Sequence, residues 1–586
     1  MELDCLTFDE PNKRPNVAAT KEGSIEFYAV PGQLLITGDN DDIGAVISHL
    51  DTQGFKVTSH GDVARTESGP IFTIDDIFSI DGSPSSGFTI HLYEFHREDD
   101  DSPLNPWKLM DIANTFVLNN RPLFAIAEVN EILHGLMHSA GGGVHGGPTG
   151  ETIDINGVDL PDAAFFKTQW AFQTDTGINL FKGEEYIDKE ARGKGVHVAV
   201  FDSSPLGTGY YDTKTLTGGY PFKLCVTAAL DDLIGDETAR DRYTEHGYFS
   251  ASLIHAVAPE CEIHLVQVLD DHVHGSVGFL LSMMDKYIDA FKEKHPIDTH
   301  PRLILNLSLG FKLNSRKALE ILEDKVILKS AKEAVKNLRQ VSETISGERK
   351  NKETKGERER DPIAGLLDQL TGGSDIPHVA HGFYMNNLSR RHADLSHLVV
   401  AAAGNEGVKE RRRPKATMPA SFDSVLGVAA SGKKGRLALF ANDAVVMAPG
   451  GDFGLNPPDA SDLDSADWID DLDVLCVYPI NCPYAITGRA TTDEIIALDG
   501  AQIREKAHDM NSGYMLWWGS SFSAPLAAGL AALVWGVDPT LPPPDVRKFI
   551  IENANKRVDD AGEVGIINVI HTLEAVRDDQ NPGGGD

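Results

Sequence analysis

Six short runs after residue 160 are mostly apolar and show little regular alternation between apolar and polar residues. The runs are 196–201, 262–269, 303–307, 398–403, 425–429 and 444–447. This pattern is typical of strands buried on both faces, as in a parallel sheet covered by helices. Helical patterns separate the runs, so strands and helices are expected to alternate along the chain. The sequence therefore predicts an α/β domain with a mostly parallel sheet and helices on both faces.

A smaller unit is predicted ahead of this domain, at 25–135. Its strand-like and helical segments follow the order strand, helix, strand, repeated once. The strands are expected at 33–37, 55–57, 88–95 and 123–132, and the helices at 41–53 and 105–119. This is the order of a ferredoxin-like fold, so a small α+β domain of that type is predicted.

Changes in composition indicate the remaining boundaries. The polar segment 1–24 predicts a flexible tail, and the glycine-rich stretch within 136–160 predicts a linker. The larger domain is expected to span 161–580, with insertions at about 312–396 and 455–510. The first insertion contains a run of mixed charge and the second is rich in aspartate, and both patterns are typical of solvated surface segments.

The charge of the chain limits its partners. The formal net charge of −35 at pH 7 argues against binding of nucleic acid, which is itself a polyanion. The five cysteines include no Cys-x-x-Cys pair and indicate free thiols. The first residues lack the apolar core of a secretory signal, and we expect no segment long and apolar enough to span a membrane. These features predict a cytoplasmic protein that binds neither nucleic acid nor membrane.

Polar residues lie at the ends of several predicted elements, where open α/β sheets place their active sites. Asp202 follows the first apolar run, and Asn405 lies in a Gly-Asn-Glu-Gly loop after the fourth. His246 opens one helical run of small residues, and Ser521 opens another. Acyl transfer by serine requires a hydroxyl, a base, a carboxylate and an oxyanion donor. Taken singly, each residue is equally consistent with a helix cap, a surface position or a turn.

The segments around these four residues resemble, in the same order, the motifs of the subtilisin-like serine protease (subtilase) family. The similar segments are 193–203, 246–269, 306–310, 399–407, 418–420, 447–450 and 519–525. The order aspartate, histidine, serine is the one known for subtilisin. The resemblance extends from about 160 to 575, with gaps at the insertions. The unit at 25–135 is similar to the prodomain of this family in size, element order and position.

The resemblance implies a role for each of the four residues. Ser521 is expected to attack the scissile carbonyl and His246 to take its proton. Asp202 is expected to orient the histidine, and Asn405 to stabilise the oxyanion together with the backbone N–H of Ser521.

Substrate-binding residues follow from the same resemblance. Ser308, Leu309 and Gly310 are expected to pair with the substrate backbone as an added strand. The specificity pocket is expected to be lined by Ala403, Gly404 and Glu406. The charge of Glu406 favours a basic or polar residue before the cleaved bond. Pro419 is expected to follow a cis peptide bond.

The sequence departs from the family pattern at several positions, which are Ser204, Tyr248, Ser520, Phe522 and Ser523, and in one loop. Phe522 replaces the commoner methionine beside the nucleophile, which predicts a reshaped groove. The strong calcium-binding loop that follows the histidine helix in the family is not found. We therefore expect no metal or other cofactor to be required for the chemistry, although a structural calcium ion elsewhere remains open.

The leading hypothesis is a serine endopeptidase that acts on peptide or protein substrates and is held inactive by its N-terminal domain. That domain is equally well explained as a permanent folding or docking unit. One alternative function is a partner-gated or catalytically silent peptide-binding module, since the insertions offer surface for a regulatory protein. Another is a peptide ligase or macrocyclase, because hydrolysis and aminolysis share the acyl-enzyme.

Overall fold

The structure is a computed structural model. It describes residues 18–22, 25–58, 69–74, 88–97, 104–120, 125–135, 139–140, 144–145, 168–173, 176–182, 185–186, 188, 191–203, 223–225, 246–269, 274–295, 301–310, 379–392, 394–405, 407, 413–451, 486–489, 514–559 and 562–580.

The described residues form strands and helices along the whole chain. The strands are β1 Ala18–Glu22, β2 Ile25–Asp39, β3 Phe55–Val57, β4 Gly69–Ile74, β5 Phe88–Arg97, β6 Ala125–Gly135, β7 Ser139–Ala140, β8 Val144–His145, β9 Phe181–Lys182, β10 Glu185–Tyr186, β11 Val196–Asp202, β12 Lys223–Cys225, β13 Glu262–Gln267, β14 His274–Ser276, β15 Arg302–Leu307, β16 Leu309–Gly310, β17 Ser396–Ala402, β18 Val425–Ser431, β19 Val446–Pro449, β20 Ile486–Arg489, β21 Tyr514–Trp517, β22 Asn555–Asp559 and β23 Gly562–Ile566. The helices are α1 Asn40–Thr52, α2 Pro106–Asn119, α3 His246–Val257, α4 Val277–Lys294, α5 Val379–Arg391, α6 Ser520–Val537, α7 Pro543–Glu552 and α8 Val569–Gln580, with a 3₁₀ turn at Trp170–Phe172.

The six predicted apolar runs become six adjacent strands of one sheet. The spatial order of the sheet is β12-β13-β11-β15-β17-β18-β19-β23-β22. Its strands pair in parallel, except that β22 runs antiparallel to β23. Every residue of β11 and β18 is buried, as expected for strands covered on both faces. The predicted α/β architecture is confirmed.

Helix α6 runs through the core of this domain. All its residues from Ser520 to Trp535 are buried. Gly529 permits close packing on α3, because a Cβ atom at this position would lie 2.6 Å from the Cβ atom of Val257. By length and composition α6 meets the criterion for a membrane span, so the expectation that no segment does so is wrong. However, 89% of its apolar window is buried inside the protein, and a core helix passes the same test.

The N-terminal unit is built on an antiparallel sheet. Strand β2 pairs with β5 and β6, and β5 pairs with β3, which gives the order β6-β2-β5-β3. Helices α1 and α2 pack on this sheet and on each other around an apolar core of their own. The elements follow the predicted order, with β4 added beside β5 and β1 beside β2. Strand β1 lies in the segment for which the sequence predicts a flexible tail.

Much of the predicted linker and of both predicted insertions lies outside the described residues. Within 136–160 only the short hairpin β7–β8 is described. The described part of 312–396 is helix α5 with the residues that lead into β17. In 455–510 it is strand β20, which pairs with β21 directly before the predicted nucleophile segment. The domain boundaries therefore remain predictions.

Candidate active site

Asp202 and His246 form a buried pair at the carboxyl edge of the parallel sheet. Asp202 is the last residue of β11, and His246 is the first of α3. Nδ1 of His246 lies 2.7 Å from Oδ1 of Asp202, and the backbone N–H of Ser203 donates to the same oxygen at 2.6 Å. Both side chains are fully buried. The carboxylate thus fixes the orientation of the imidazole, which is what general-base chemistry requires.

Gly247 brings this pair together. A Cβ atom at Gly247 would lie 2.2 Å from the backbone oxygen of Ser203 and 2.8 Å from Cβ of Asp202. Only glycine therefore allows α3 to begin against the end of β11. The Gly247 N–H also donates to the hydroxyl of Ser203 at 3.3 Å.

Ser521 lies in the first turn of α6 and is fully buried. The turn into this helix depends on Gly519, which has a φ of 142° and donates to the oxygen of Gly450 at 2.8 Å. The Ser521 hydroxyl donates to the backbone oxygen of Ser308 at 3.0 Å. In return, the Ser308 hydroxyl donates to the backbone oxygen of Ser521 at 2.7 Å. Two hydrogen bonds therefore connect the candidate nucleophile to the predicted substrate-binding segment.

The hydrogen bond from Ser521 to the histidine is not made in this arrangement. Nε2 of His246 is buried and has no hydrogen-bond partner among the described residues. The Ser521 hydroxyl therefore has to leave the Ser308 oxygen and turn towards Nε2 before the histidine can take its proton.

Asn405 is coupled to the nucleophile turn. Its Oδ1 accepts a hydrogen bond from the backbone N–H of Ser520 at 2.9 Å. The Ser520 hydroxyl accepts from the N–H of Gly404 at 3.0 Å. Because the amide oxygen caps α6, the amide NH₂ is the end that remains suited to donate to an oxyanion. Helix α6 and the loop after β17 thus form one hydrogen-bonded unit.

The other predicted pocket residues are described in part. Ala403 is buried, and its oxygen accepts from the N–H of Thr417 at 2.7 Å. Gly404 has a φ of 112°, a conformation that favours glycine. Glu406 lies outside the described residues. The peptide bond between Met418 and Pro419 is cis, as predicted.

The predicted substrate-binding strand is occupied by the N-terminal unit. Leu309 pairs with Gly135, and Gly310 pairs with His134, in antiparallel register. On its other side, the end of β6 pairs with β14, also antiparallel, from His274 opposite His134 to Ser276 opposite Ile132. The end of β6 thus lies between two strands of the larger domain, as an added strand does in peptide recognition.

Two polar side chains of β6 cap helices of the larger domain. Oδ1 of Asn130 accepts from the N–H of Gly278 in the first turn of α4 at 2.9 Å, and its amide donates to the Ser276 hydroxyl at 3.2 Å. Oε2 of Glu128 accepts from the N–H of Ala380 in the first turn of α5 at 2.7 Å. Both contacts satisfy helix N–H groups that lack partners within the helix. We did not predict these contacts from the sequence.

An aromatic cluster surrounds the histidine. The ring centre of His246 lies 5.4 Å from that of Trp517 and 5.2 Å from that of Phe522. Phe249 packs edge-to-face on Trp517 and at a tilt on Phe522, with ring centres 5.5 and 4.6 Å apart, respectively. The sequence singled out Phe522 as a departure but missed Trp517 and Phe249. The adjacent pair Trp517 and Trp518, directly before Gly519, was the available signal.

Comparison with known proteins matches most of the larger domain to a protein family. A sequence model of the subtilase family (peptidase S8) matches residues 193–566. Similar solved structures include a lanthipeptide protease, with 19% identity and a TM-score of 0.36 over 66% of this chain and 89% of that one. A protease from Pseudoalteromonas arctica has 17% identity and a TM-score of 0.38 over 71% and 100%. A cold-adapted subtilisin-like serine proteinase has 15% identity and a TM-score of 0.35 over 68% and 97%. The search of curated proteins gave no match.

Proposed function

Because the chain belongs to the subtilase family and is therefore a serine peptidase, we propose that it cleaves internal peptide bonds with Asp202, His246, Ser521 and Asn405. The observation that carries this proposal is the buried Asp202–His246 pair, 2.7 Å between Oδ1 and Nδ1, beside helix α6, whose first turn contains Ser521. A buried carboxylate that orients an imidazole beside a serine is the arrangement that acyl transfer needs.

The proposed reaction begins when the Ser521 hydroxyl turns from the Ser308 oxygen towards Nε2 of His246. Ser521 then attacks the carbonyl carbon of the substrate while His246 takes the proton. His246 later gives this proton to the leaving amine, and Asp202 stabilises the imidazolium in between. Asn405 and the N–H of Ser521 stabilise the oxyanion, helped by the N-terminus of α6. Water resolves the acyl-enzyme. This chemistry uses no cofactor.

Substrates are proposed to bind as a strand between β14 and β16. The support is the end of β6, which already pairs with both strands in antiparallel register. Backbone hydrogen bonds of this kind accept many sequences, because the side chains contribute only through the pockets they enter. A peptide or protein in an extended conformation is therefore the proposed substrate class.

The N-terminal unit is proposed to inhibit the enzyme by holding this site. Its strand β6 takes the place of a substrate strand, and Glu128 and Asn130 anchor it to α5 and α4. The full burial of Ser521 favours a gated site, and so does the lack of any described hydrogen-bond partner for Nε2 of His246. The same observations are compatible with the second candidate, a module in which a partner controls access to the peptide groove.

Labelling with a fluorophosphonate, which reacts only with an activated serine, tests the proposed nucleophile. We expect the wild-type chain to be labelled after the N-terminal unit has been released by limited proteolysis. The Ser521→Ala variant, treated in the same way, should not be labelled. Ser523→Ala, two residues along α6, is the matched control and should be labelled like wild type.

Absence of labelling in wild type, with the linker intact and with it cut, would contradict the enzyme proposal and favour the binding module. Mass spectrometry of products from an unlabelled protein substrate then separates the remaining reactions. Internal cuts with free carboxyl ends support an endopeptidase, whereas joined or cyclic products support a ligase.

A further inference from the structure

Two imidazoles and a carboxylate lie together at the end of the sheet opposite to the candidate active site. His197 is the second residue of β11, and Glu262 and His264 belong to the neighbouring strand β13. The parallel register sets His197 opposite Glu262. His264 lies two residues after Glu262, so their side chains are on the same face of the sheet.

The spacing of these three side chains fits a single metal ion. One ligand atom from each residue lies within 4.8 Å of the others. Nδ1 of His197 and Oε2 of Glu262 are 3.8 Å apart, which is too long for a hydrogen bond. Two ligands bound tetrahedrally to one zinc ion are about 3.4 Å apart, given metal–ligand distances of about 2.0–2.1 Å. Small side-chain shifts would therefore close the site around an ion.

Neighbouring side chains from α4 orient the two imidazoles. The hydroxyl of Tyr287 bonds with Nδ1 of His264, which makes Nε2 the ring nitrogen that is suited to bind a metal. The rings of Phe291 and His295 pack on His197, with centres 5.0 and 4.5 Å away. Such outer contacts hold metal-binding imidazoles in position in known sites.

We propose that His197, Glu262 and His264 bind a divalent cation of the zinc class. Two imidazoles with one carboxylate suit Zn²⁺, whereas Ca²⁺ prefers oxygen ligands alone. The side chain of Glu262 is 42% exposed and that of His197 is 8% exposed, so an ion reaches the site from the protein surface. The ion would join β11 and β13 next to α4.

The proposed ion is structural and takes no part in peptide cleavage. His197 and Asp202 are five positions apart along β11, a distance of about 17 Å at the rise of a strand. An ion bound only by the folded state raises stability according to its concentration and affinity. The proposal is therefore independent of the proposed peptidase activity.

Zinc binding by the full-length chain tests the site. All proteins carry Ser521→Ala, so that the chain stays intact, and are stripped of metal with a chelator. ZnCl₂ is then titrated against a chromogenic zinc chelator, and the thermal unfolding midpoint is measured with and without zinc. We expect one zinc ion per chain and a higher midpoint. Cobalt(II), titrated separately, should give the visible spectrum of a tetrahedral site with nitrogen and oxygen ligands.

Two glutamate variants provide the comparison. Glu262→Gln should weaken zinc binding at least about tenfold, without lowering the midpoint in the absence of zinc. Glu260→Gln is the matched control, because Glu260 lies two residues away and pairs with Arg192 at 2.6 Å. It should bind zinc like the parent. Absence of stoichiometric zinc binding, or equal affinities in the two variants, would overturn the proposal, as would tighter binding of CaCl₂ than of ZnCl₂.

Discussion

The hydroxyl of Ser521 donates a hydrogen bond to the Ser308 carbonyl. This position is compatible with a functional nucleophile, because one side-chain rotation would release the hydroxyl. Rotation about a side-chain bond moves a serine hydroxyl between staggered positions on a fast timescale. The rotation exchanges one hydrogen bond, of about 1 kcal/mol, for another. The base and its carboxylate are already in contact at 2.7 Å. In the proposed mechanism, only the hydrogen bond from Ser521 to Nε2 of His246 therefore has to form when a substrate arrives.

At Asn405 we expect that substitution with alanine lowers kcat by about 10²–10³, with KM changed by less than about threefold. The magnitude is the one known from subtilisin itself and was not obtained from this chain. The physical reason is that the amide would donate to the oxyanion only after attack begins. Steady-state kinetics on a peptide substrate, after release of the N-terminal unit, measure both constants.

Ser520→Ala is the control for Asn405→Ala. It removes the hydroxyl that accepts from Gly404 at 3.0 Å but leaves the amide of Asn405 in place. We expect a loss in kcat of less than about tenfold. If both variants lose activity equally, Asn405 acts by holding the loop and not by stabilising the oxyanion.

At the scale of elements, two helices of the larger domain have N-terminal N–H groups whose hydrogen-bond acceptors come from the N-terminal unit. Helices α4 and α5 present N–H groups that donate hydrogen bonds to the side-chain oxygens of Asn130 and Glu128, respectively. A carboxylate at a helix N-terminus also interacts favourably with the helix dipole. We infer that these two contacts fix the position of β6 between β14 and β16. They thereby also fix the register in which β6 pairs with β16.

For the helix contact we expect Glu128→Gln to increase the rate of fluorophosphonate labelling in the full-length chain about fivefold. Loss of the negative charge weakens the contact with α5 by about 1 kcal/mol, so the groove is open for a larger fraction of the time. The labelling rate is measured from a time course on gels.

Asp51→Asn serves as the matched control for Glu128→Gln. Asp51 lies in the same unit but pairs with Lys56 at 2.6 Å, so it anchors no helix of the larger domain. Its labelling rate should equal that of wild type. A Glu128→Gln rate no higher than the Asp51→Asn rate would argue against β6 as the barrier to the nucleophile.

The long strands of the parallel sheet were predictable from the sequence, and the short strands β14 and β16 were not. Strands such as β11 and β18 are mostly apolar because both faces are buried, and this leaves a clear pattern. Strands β14 and β16 have three and two residues, too few for any period, and they pair with β6 from a distant part of the chain. The position of the Ser521 hydroxyl likewise depends on Ser308, which only the folded chain brings near.

For the whole molecule, we expect the wild-type chain to cut itself once and the Ser521→Ala chain to stay intact. Gly135 pairs with Leu309, so a strand bound in the register of β6 has its next residue opposite Ser308. The Ser521 hydroxyl lies 3.0 Å from the backbone oxygen of Ser308. The expected cut in the chain itself is therefore between Leu136 and Met137, at the start of the predicted linker.

Intact-mass measurements during incubation of both proteins check the self-cleavage. A cut elsewhere within 136–160 would support processing but not the proposed register. A preference for basic residues, as suggested by Glu406, would move the cut away from Leu136. An unchanged mass in both proteins would instead indicate a permanently attached docking domain.

Because β6 pairs with β14 and β16 of the larger domain, cleavage of the linker would not by itself free the proposed substrate-binding site between these two strands. Cutting between Leu136 and Met137 removes a covalent link, but every backbone hydrogen bond of β6 with β14 and β16 lies before the cut and survives it. The severed unit would then leave at a rate set by its own dissociation, which does not depend on how much enzyme is present. Activity would therefore appear after a lag whose average length does not depend on enzyme concentration. The dissociated N-terminal unit could rebind and inhibit again unless it is degraded.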